Sequence, residues 1–200
     1  MHSKNFFINR NIQRIYFRKL RKLLTLEEKY LYSIKISRMI FDSKVLSFCK
    51  NIAVFLSFDG EIETSVLISK LWQKKYNVFV PVIHSFRKKI LLFSEYLYST
   101  NLVLNKFNIL EPIVFDKNSC FSCYEMDIII CPLVAFDKFG YRLGMGGGFY
   151  DKILYNWKNK NFFPIGLAYD FQLINRLSPA PWETPLPVIF TPSKLWKQYN

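Results

Sequence analysis

A glycine-rich stretch flanked by an arginine and an aspartate is the first candidate for chemistry in this chain. It reads Gly-Tyr-Arg-Leu-Gly-Met-Gly-Gly-Gly-Phe-Tyr-Asp from Gly140 to Asp151. Glycines let backbone N–H groups surround an anion closely, and the N-terminus of a following helix adds a favourable dipole. Arg142 supplies positive charge, and Asp151 can coordinate a Mg²⁺ ion that bridges phosphate oxygens. The stretch therefore predicts a phosphate-binding loop.

The loop matches neither of two familiar phosphate-binding patterns. It has no lysine followed by serine or threonine, as a P-loop has, and Phe149 stands where the dinucleotide-binding fingerprint has glycine or alanine. The alternative is structural: the glycines form a tight bend, and Asp151 favours the positive end of a helix dipole. Four of the five positions from Gly144 to Gly148 are glycine, which exceeds what a bend requires, so we favour the phosphate loop.

A second candidate segment, Ser-Phe-Asp-Gly-Glu-Ile-Glu-Thr, runs from Ser57 to Thr64 at the end of an apolar run. Glu61 and Glu63 can accept paired N–H donors from a heterocycle, and Phe58 can stack on its ring. The alternative is an ordinary loop between a strand and a helix, in which Thr64 caps the helix. Both interpretations place the segment at the carboxyl end of a strand.

Apolar runs and helical patterns alternate along the chain and would position both segments. Runs typical of buried strands lie at residues 51–58, 78–83, 90–93, 127–131, 164–168 and 187–190. Helical patterns lie at residues 8–24, after a capping box at 25–28, and at 64–76, 149–157 and 171–177. We also predict a hairpin across residues 84–89, an irregular segment at 133–136 and a turn at 137–140.

This alternation predicts one domain over residues 1–200, a three-layer α/β/α, Rossmann-like fold with a mostly parallel sheet. Ligands of such sheets bind at the carboxyl ends of the strands, where both candidate segments fall.

The first predicted helix is amphipathic. Its apolar face is Ile8, Ile12, Ile15, Tyr16, Leu20 and Leu23, and its basic face is Arg10, Arg14, Arg18, Lys19, Arg21 and Lys22.

The composition indicates a soluble protein. Half of the 200 residues are hydrophobic, no apolar run has the roughly 18 residues of a membrane span, and the start of the chain lacks a signal-peptide core. We expect a soluble, cytoplasmic monomer without a membrane partner.

The sequence has one C-x-x-C pair, Cys120 and Cys123, and its two histidines, His2 and His84, lie far from it. A zinc site therefore lacks ligands, and we expect reduced thiols.

A net charge of +13 raises the possibility of a nucleic-acid partner. The charge is spread along a chain that is also rich in Asn, Ile, Phe and Tyr, a composition typical of AT-rich coding. We therefore predict no nucleic-acid partner.

The two candidate segments together resemble the 5-formyltetrahydrofolate cyclo-ligase family. Leu133-Val-Ala-Phe-Asp137 with the glycine stretch is similar to its nucleotide signature, and Phe55 to Thr64 is similar to its folate segment. The basic first helix and the tail from Trp182 to Ser193 match as well. The resemblance covers about Arg10 to Trp196 and implies conversion of 5-formyltetrahydrofolate to 5,10-methenyltetrahydrofolate with ATP and Mg²⁺.

The resemblance also implies residue roles. Arg142 and Asp151 would be catalytic, and Asp151 would hold Mg²⁺. The ATP-binding residues would be Arg10, Asn11, Ile12, Gln13, Arg14, Arg142, Leu143, Gly144, Met145, Gly146, Gly147, Gly148, Phe149 and Tyr150. The folate-binding residues would be Phe58, Glu61, Glu63, Met145, Gly146, Gly147, Gly148 and Phe149, with either glutamate as the decisive contact. The alternative for Arg10 and Arg14 is the solvated face of a helix.

Some residues depart from the family pattern. Met145 and Gly147 stand where some relatives have Arg and Lys, and Pro187 stands at one place where relatives carry an acid near the last strand, leaving Glu183 as the nearest acid. A second protein ligand to the metal is therefore in doubt. Two other classes of protein stay open on sequence alone: a basic nucleic-acid-binding protein, and a folate- or nucleotide-binding module without turnover.

Overall fold

The computed structural model describes residues 2–83, 90–114 and 119–198. The helices are α1 (His2–Leu23), α2 (Leu26–Asp42), α3 (Ser65–Gln73) and α4 (Phe149–Leu154). The first strands are β1 (Asn51–Ala53), β2 (Asn77–Ile83), β3 (Leu91–Glu95), β4 (Leu102–Leu104), β5 (Leu110–Pro112), β6 (Cys120–Phe121) and β7 (Ile128–Pro132). The remaining strands are β8 (Ala135–Asp137), β9 (Arg142–Leu143), β10 (Phe163–Leu167), β11 (Leu173–Ile174), β12 (Val188–Phe190) and β13 (Leu195–Lys197).

A large mixed sheet organises the chain and confirms the α/β class. Its strand order is β13-β12-β10-β7-β1-β2-β3-β6, and the five strands from β12 to β2 run parallel. The chain order reverses between β1 and β7, so that β2 lies on one side of β1 and β7 on the other. Such a reversal opens a crevice at the carboxyl ends of the two strands.

The central strands are continuous apolar runs because both faces of the sheet are covered. Ile128 and Ile130 pack into a core cluster with α2 and α3, whereas Ile129 and Cys131 pack into a second cluster with α4. The predicted strands at 78–83, 127–131, 164–168 and 187–190 are confirmed to within one or two residues. The strand predicted at 51–58 is shorter and ends at Ala53.

The predicted capping box at the start of α2 is confirmed. Thr25 accepts a hydrogen bond from Glu28 N, and the Glu28 side chain accepts one from Thr25 N. Such reciprocal caps satisfy two orphan donors of the first turn. The predicted helices at 64–76 and 149–157 are present but end earlier, at Gln73 and Leu154. The hairpin predicted across residues 84–89 lies outside the described residues.

Of two predictions around the second sheet, one is wrong in part and one entirely. Leu133 and Val134 lie outside any strand, as predicted, but Ala135 and Phe136 belong to β8, which pairs antiparallel with β9. Residues 171–177 do not form a helix: a 3₁₀ turn at Asp170–Gln172 leads into β11, which pairs parallel with β8. The buried Gln172 amide explains the difference, since it donates to the carbonyls of Leu133 and Val134 and ties the segment to the β8 hairpin. The predicted turn at 137–140 is confirmed by a Gly140 N to Asp137 O bond of 3.0 Å.

Helix α1 packs with the opposite face from the one that its amphipathic pattern predicts. Ile12, Ile15 and Tyr16 are 60%, 68% and 57% exposed, whereas Arg10 and Arg21 are buried. The inward face has partners that only the fold brings near: Arg21 pairs with an acid after β1, and Arg10 with an acid near the C-terminus.

No helix among residues 2–83, 90–114 and 119–198 is long and apolar enough to cross a membrane. The four cysteines, all within the described residues, form no disulfide bond.

Candidate active site

A cavity of about 410 Å³ lies in the crevice between the carboxyl ends of β1 and β7. Its volume is within the range of small-molecule sites. The segment after β1 contributes Phe55, Leu56, Phe58 and Glu61. The end of β7 and the chain that follows it contribute Pro132, Leu133, Arg142, Gly144, Met145, Gly146, Gly147, Gly148, Phe149, Tyr150 and Asp151. The remaining walls are Arg18, Pro81, Ile83, Leu91, Asn105, Phe107 and Ile109. The structure therefore brings the two candidate segments together around one cavity.

The glycine loop connects β9 to α4 and exposes its backbone at the cavity. Gly146 and Gly148 have φ angles of +98° and +73°, which side chains rarely adopt, so glycine is required at these two positions. Gly148 is the N-terminal cap of α4. Leu143, by contrast, is fully buried in the cluster that contains Phe17 and does not line the cavity.

Arg142 and Asp151 form an ion pair at the base of this loop. Both terminal nitrogens of Arg142 donate to Oδ1 of Asp151, at 2.9 and 2.8 Å. The Arg142 side chain is 3% exposed and that of Asp151 is 24% exposed. Because both bonds end on Oδ1, Arg142 leaves the second carboxylate oxygen of Asp151 unoccupied. The pair places one cation and one carboxylate beside the glycine backbone.

Glu61 also lines the cavity, and its carboxyl is buried with few hydrogen-bond partners. Burial raises its pKa to about 8, and the nearby charge of Arg21 opposes that rise only in part. Its Oε2 accepts a long bond of 3.3 Å from Phe58 N, and Oε1 has no hydrogen-bond partner among the described residues. At neutral pH the carboxyl is therefore largely protonated and can both donate and accept a hydrogen bond.

The other glutamate of this segment has a different place. Glu63 accepts bonds from Ser57 Oγ and Ser65 N, both at 3.0 Å, and is not among the residues that line the cavity. Thr64 precedes α3 as predicted, but its hydroxyl donates to Phe55 O instead of capping the helix. Of the two glutamates that the sequence left open, Glu61 is the one at the cavity.

Asp59, two residues before Glu61, forms ion pairs with three basic side chains of α1. It pairs with Arg18 at 2.6 Å, with Arg21 at 2.9 Å and with Lys22 at 3.1 Å. Burial alone would raise the pKa of Asp59, but hydrogen bonds from Arg18 and Lys22 and the surrounding positive charge lower it to about 2. The carboxylate is therefore ionised at neutral pH and fixes three residues of α1.

Arg10 and Arg14 are not a solvated helix face, although neither lines the cavity. Arg10 donates to both carboxylate oxygens of Glu183 and to Ser178 O, and Arg14 donates from Nε to Gly144 O at 2.8 Å. Arg14 thus fixes the first glycine of the loop.

The other predicted ATP-binding residues of α1 lie toward solvent. Asn11 and Ile12 are exposed and Gln13 is half-buried. Asn11 accepts a 2.7 Å bond from Arg14 NH1.

Sequence reasoning missed the loop between β4 and β5. Asn105, Phe107 and Ile109 line the cavity, and the Phe107 ring meets the Phe149 ring edge-on at 6.1 Å. Arg18 also lines the cavity, although it was assigned only to the basic face of α1. Residues 102–112 carry no motif, so the only available signal was the short apolar runs on either side of Asn108.

The chemistry of the donors limits how a metal can be held. No cluster of three or more His, Cys, Asp or Glu side chains lies together in the part of the chain that the structure describes. Glu183 is engaged by Arg10 and by Ala180 N. Mg²⁺ commonly binds through one or two carboxylates with water and substrate phosphates completing the shell. A site built on Asp151 and a phosphate ligand therefore fits this arrangement.

These features define an α/β protein with a ligand cavity at the switch point of its sheet, lined by a glycine loop, an ion pair and a buried acid. The sequence model of the 5-formyltetrahydrofolate cyclo-ligase family matches residues 9–192. The chain therefore belongs to that family, and the resemblance found in its sequence is confirmed.

Individual relatives agree with the family assignment. The 5-formyltetrahydrofolate cyclo-ligase of Escherichia coli strain K12 is 41% identical over 180 residues, which cover 90% of this chain and 98% of the relative. The enzyme of the same name from Haemophilus influenzae is 52% identical over 137 residues, covering 68% of this chain and 73% of the relative. Among solved structures, the 5,10-methenyltetrahydrofolate synthetase of Aquifex aeolicus matches with a TM-score of 0.80 and 25% identity, over 96% of this chain and 93% of that one.

Proposed function

We propose that this chain catalyses the ATP-dependent conversion of 5-formyltetrahydrofolate to 5,10-methenyltetrahydrofolate, with release of ADP and phosphate. The observation that carries the proposal is the cavity at the switch point, which is lined both by the glycine loop with its ion pair and by the segment from Phe55 to Glu61. The cavity thus offers the glycine loop to a phosphorylated co-substrate and the segment from Phe55 to Glu61 to a heterocycle. Membership of the family supports the same reaction.

The chemistry explains why ATP is needed. A formamide carbonyl is a poor electrophile, and its oxygen is a poor leaving group. The formyl oxygen forms a bond to the γ-phosphorus, and the bond between that phosphorus and ADP breaks. The folate N10 then attacks the formyl carbon and loses its proton, the carbon–oxygen bond breaks, and phosphate leaves as the five-membered ring closes. Most of the protein's contribution is to hold the reactants together and to stabilise charge.

The glycine loop and Arg142 are the residues suited to the phosphates. All residues from Gly144 to Tyr150 line the cavity, and Arg142 lines it as well, so the loop's backbone N–H groups are available to a phosphate there. Negative charge that develops on the transferred phosphoryl group would be stabilised by these fixed donors. Arg14 supports them because it holds the Gly144 carbonyl.

Asp151 is the residue suited to Mg²⁺. When bound, the ion would neutralise phosphate charge and bring the reacting oxygens together. The protein's own part is to present one carboxylate, which Arg142 orients through Oδ1.

The folate wall combines a buried acid with apolar surface. The protonated Glu61 carboxyl can donate one hydrogen bond and accept another, which matches the edge of the pterin ring, where N–H donors lie beside a carbonyl or ring nitrogen. Phe58 and Met145 supply apolar surface beside it. Glu63 is expected to act indirectly, by holding Ser57 and the start of α3.

The proposal also includes the fold, the cellular location, the oligomeric state and the partners. We infer one three-layer, Rossmann-like domain, because separate core clusters lie on the two faces of the central sheet. We also propose that the protein works in the cytoplasm as a monomer that takes small molecules and no nucleic acid.

A direct assay tests the function. Purified protein incubated with 5-formyltetrahydrofolate, Mg²⁺ and ATP is expected to generate the absorbance of the methenyl product with stoichiometric ADP, and omission of ATP is expected to abolish both. Binding of both ligands without product would instead identify a non-catalytic binding module. Absence of binding would reject the proposal.

A further inference from the structure

Arg21 is a fully buried guanidinium directly behind the folate wall of the cavity. It lies on α1 and is 0% exposed. Its NH2 donates to Asp59 Oδ2 at 2.9 Å and lies 3.9 Å from the Met145 sulfur, and its NH1 lies 3.8 Å from Glu61 Oε1. Neither NH1 nor Nε has a hydrogen-bond partner among the described residues. Buried charged donors without partners are costly, so this arrangement calls for an explanation.

The need to neutralise Asp59 does not explain why Arg21 is buried. Asp59 already contacts Arg18 and Lys22, whose side chains are 41% and 61% exposed and can reach it from the surface. Arg21 thus adds a third cation to one carboxylate while its NH1 faces Glu61 Oε1, a carboxyl oxygen that also lacks a hydrogen-bond partner among the described residues. The unpaired ends of the two groups face each other across 3.8 Å.

The backbone between the two acids is packed closely onto the backbone and Cβ of Arg21. A Cβ atom added at Gly60 would lie 3.1 Å from both the Cβ and the carbonyl oxygen of Arg21. The turn from Asp59 to Glu61 therefore has little room to move relative to α1.

We propose that Arg21 is a positioning residue: it does not line the cavity itself, but it fixes the Glu61 carboxyl and biases its charge, and through Glu61 it sets the affinity for the folate substrate. The part that concerns folate rests on the proposed function. The part that concerns the coupling of Arg21 to Glu61 does not.

The electrostatic surroundings of Glu61 give the direction of this coupling. Asp59 lies on the same segment, Tyr150 on α4, and the Tyr169 hydroxyl donates to the Glu61 carbonyl at 3.1 Å. Among these groups and Arg21, only Arg21 is positively charged, and it favours the ionised carboxyl against the effect of burial. Removal of its charge is therefore expected to move the titration of Glu61 to higher pH, whichever form binds the ligand.

The first experiment measures this titration directly. The protein labelled with ¹³C in its glutamate carboxyls is titrated by NMR without ligand, and the Glu61 signal is assigned by its loss in Glu61→Gln. Arg21→Met, which keeps similar length, is expected to raise the Glu61 midpoint by about one pH unit or more, as for loss of an opposite charge at this distance. Arg38→Met, on the exposed side of α2, is the matched control. An unchanged midpoint in folded Arg21→Met would overturn the inference.

The second experiment asks whether Arg21 acts through Glu61. Affinity for 5-formyltetrahydrofolate is measured for wild type, Arg21→Met, Glu61→Gln and the double variant. Arg21→Met alone is expected to weaken binding about tenfold, in line with the loss of a positioning contact, and to have almost no effect when Glu61 is already Gln, because contacting residues are not additive. The KM for ATP is expected to change little. An equal loss in both backgrounds would show a merely structural role and overturn the inference.

Arg21→Lys keeps the inference testable if Arg21→Met does not fold. Lysine retains the charge but lacks the planar fork that reaches both acids. We expect a near-normal Glu61 midpoint and a smaller loss of folate affinity, which Glu61→Gln again removes. A loss that persists in the Glu61→Gln background would count against the proposal.

Failure of the proposed function would look different. Wild-type protein would then neither bind nor convert 5-formyltetrahydrofolate, while the NMR titration would still decide whether Arg21 controls Glu61.

Discussion

Replacement of Glu61 by glutamine is expected to stabilise the unliganded protein, and to do so more strongly as the pH rises from 5 to 7. The Glu61 side chain is 3% exposed, and its pKa in the folded protein is about 8, against an ordinary value of 4.5. Between these two values the unfolded chain carries an ionised Glu61 and the folded chain a protonated one. Folding must then take up a proton, so stability falls with increasing pH across this window.

The size of the effect follows from the separation of the two pKa values. At about 1.4 kcal/mol per unit, the cost is about 1 kcal/mol at pH 5 and about 3 kcal/mol at pH 7. Glutamine mimics the protonated carboxyl but never ionises, so Glu61→Gln removes this cost. For a chain of this length, a difference of about 2 kcal/mol between the two pH values corresponds to about 4–8 °C in Tm.

Thermal unfolding followed by circular dichroism at pH 5, 6 and 7 tests this expectation. Glu27→Gln, on the exposed side of α2, controls for the loss of one carboxylate from this basic chain. If the stability difference between Glu61→Gln and wild type were constant across the three pH values, Glu61 would titrate normally. The argument for a protonated acid at the folate wall would then be refuted.

Three further outcomes are expected. Arg142→Ala and Asp151→Ala should each lower kcat by about 100-fold while the chain stays folded, because they remove fixed charge at the phosphates; full activity in both, measured with the absorbance assay, would remove the site assignment. Arg14→Met should raise the KM for ATP by about tenfold and leave the KM for folate unchanged, because it frees the Gly144 carbonyl; equal changes in both constants would contradict this. Asp137→Asn should lower the free energy of unfolding by about 1–3 kcal/mol in urea, since the buried carboxylate accepts from three backbone N–H groups, and a neutral result would refute that role.

Features with local causes could be predicted from the sequence. The strand at 128–132 follows from a run of isoleucines buried on both faces, and the α2 cap follows from Thr25 and Glu28 alone. The glycine loop could be predicted because Gly146 and Gly148 need backbone angles that few other residues adopt. Placement of this loop at the same sheet edge as Glu61 followed from the rule on strand ends.

Features that depend on distant partners could not be predicted. The 171–177 segment has a helical pattern, yet the Gln172 amide finds carbonyl partners 38 and 39 residues away, and the chain pairs with β8 instead. The loop that carries Phe107 lines the cavity only because β5, which pairs with β4, lies beside β2, and no local pattern reveals this contact. The choice of Glu61 over Glu63 likewise required the fold, since both are acids two residues apart on one segment.

The inverted packing of α1 shows why amphipathicity misled. Arg10, Arg14 and Arg21 are spaced by four and seven residues, so they share one face of the helix. On that face Arg10 reaches Glu183, Arg14 reaches the glycine loop, and Arg21 reaches Asp59. One helix thus ties together three segments at the carboxyl edge of the sheet. These charge-assisted bonds outweigh burial of most of the apolar stripe, so that Ile12, Ile15, Tyr16 and Leu23 face solvent. A helix that braces a binding site is oriented by the partners that the site offers, and its hydrophobic pattern alone gives the wrong face.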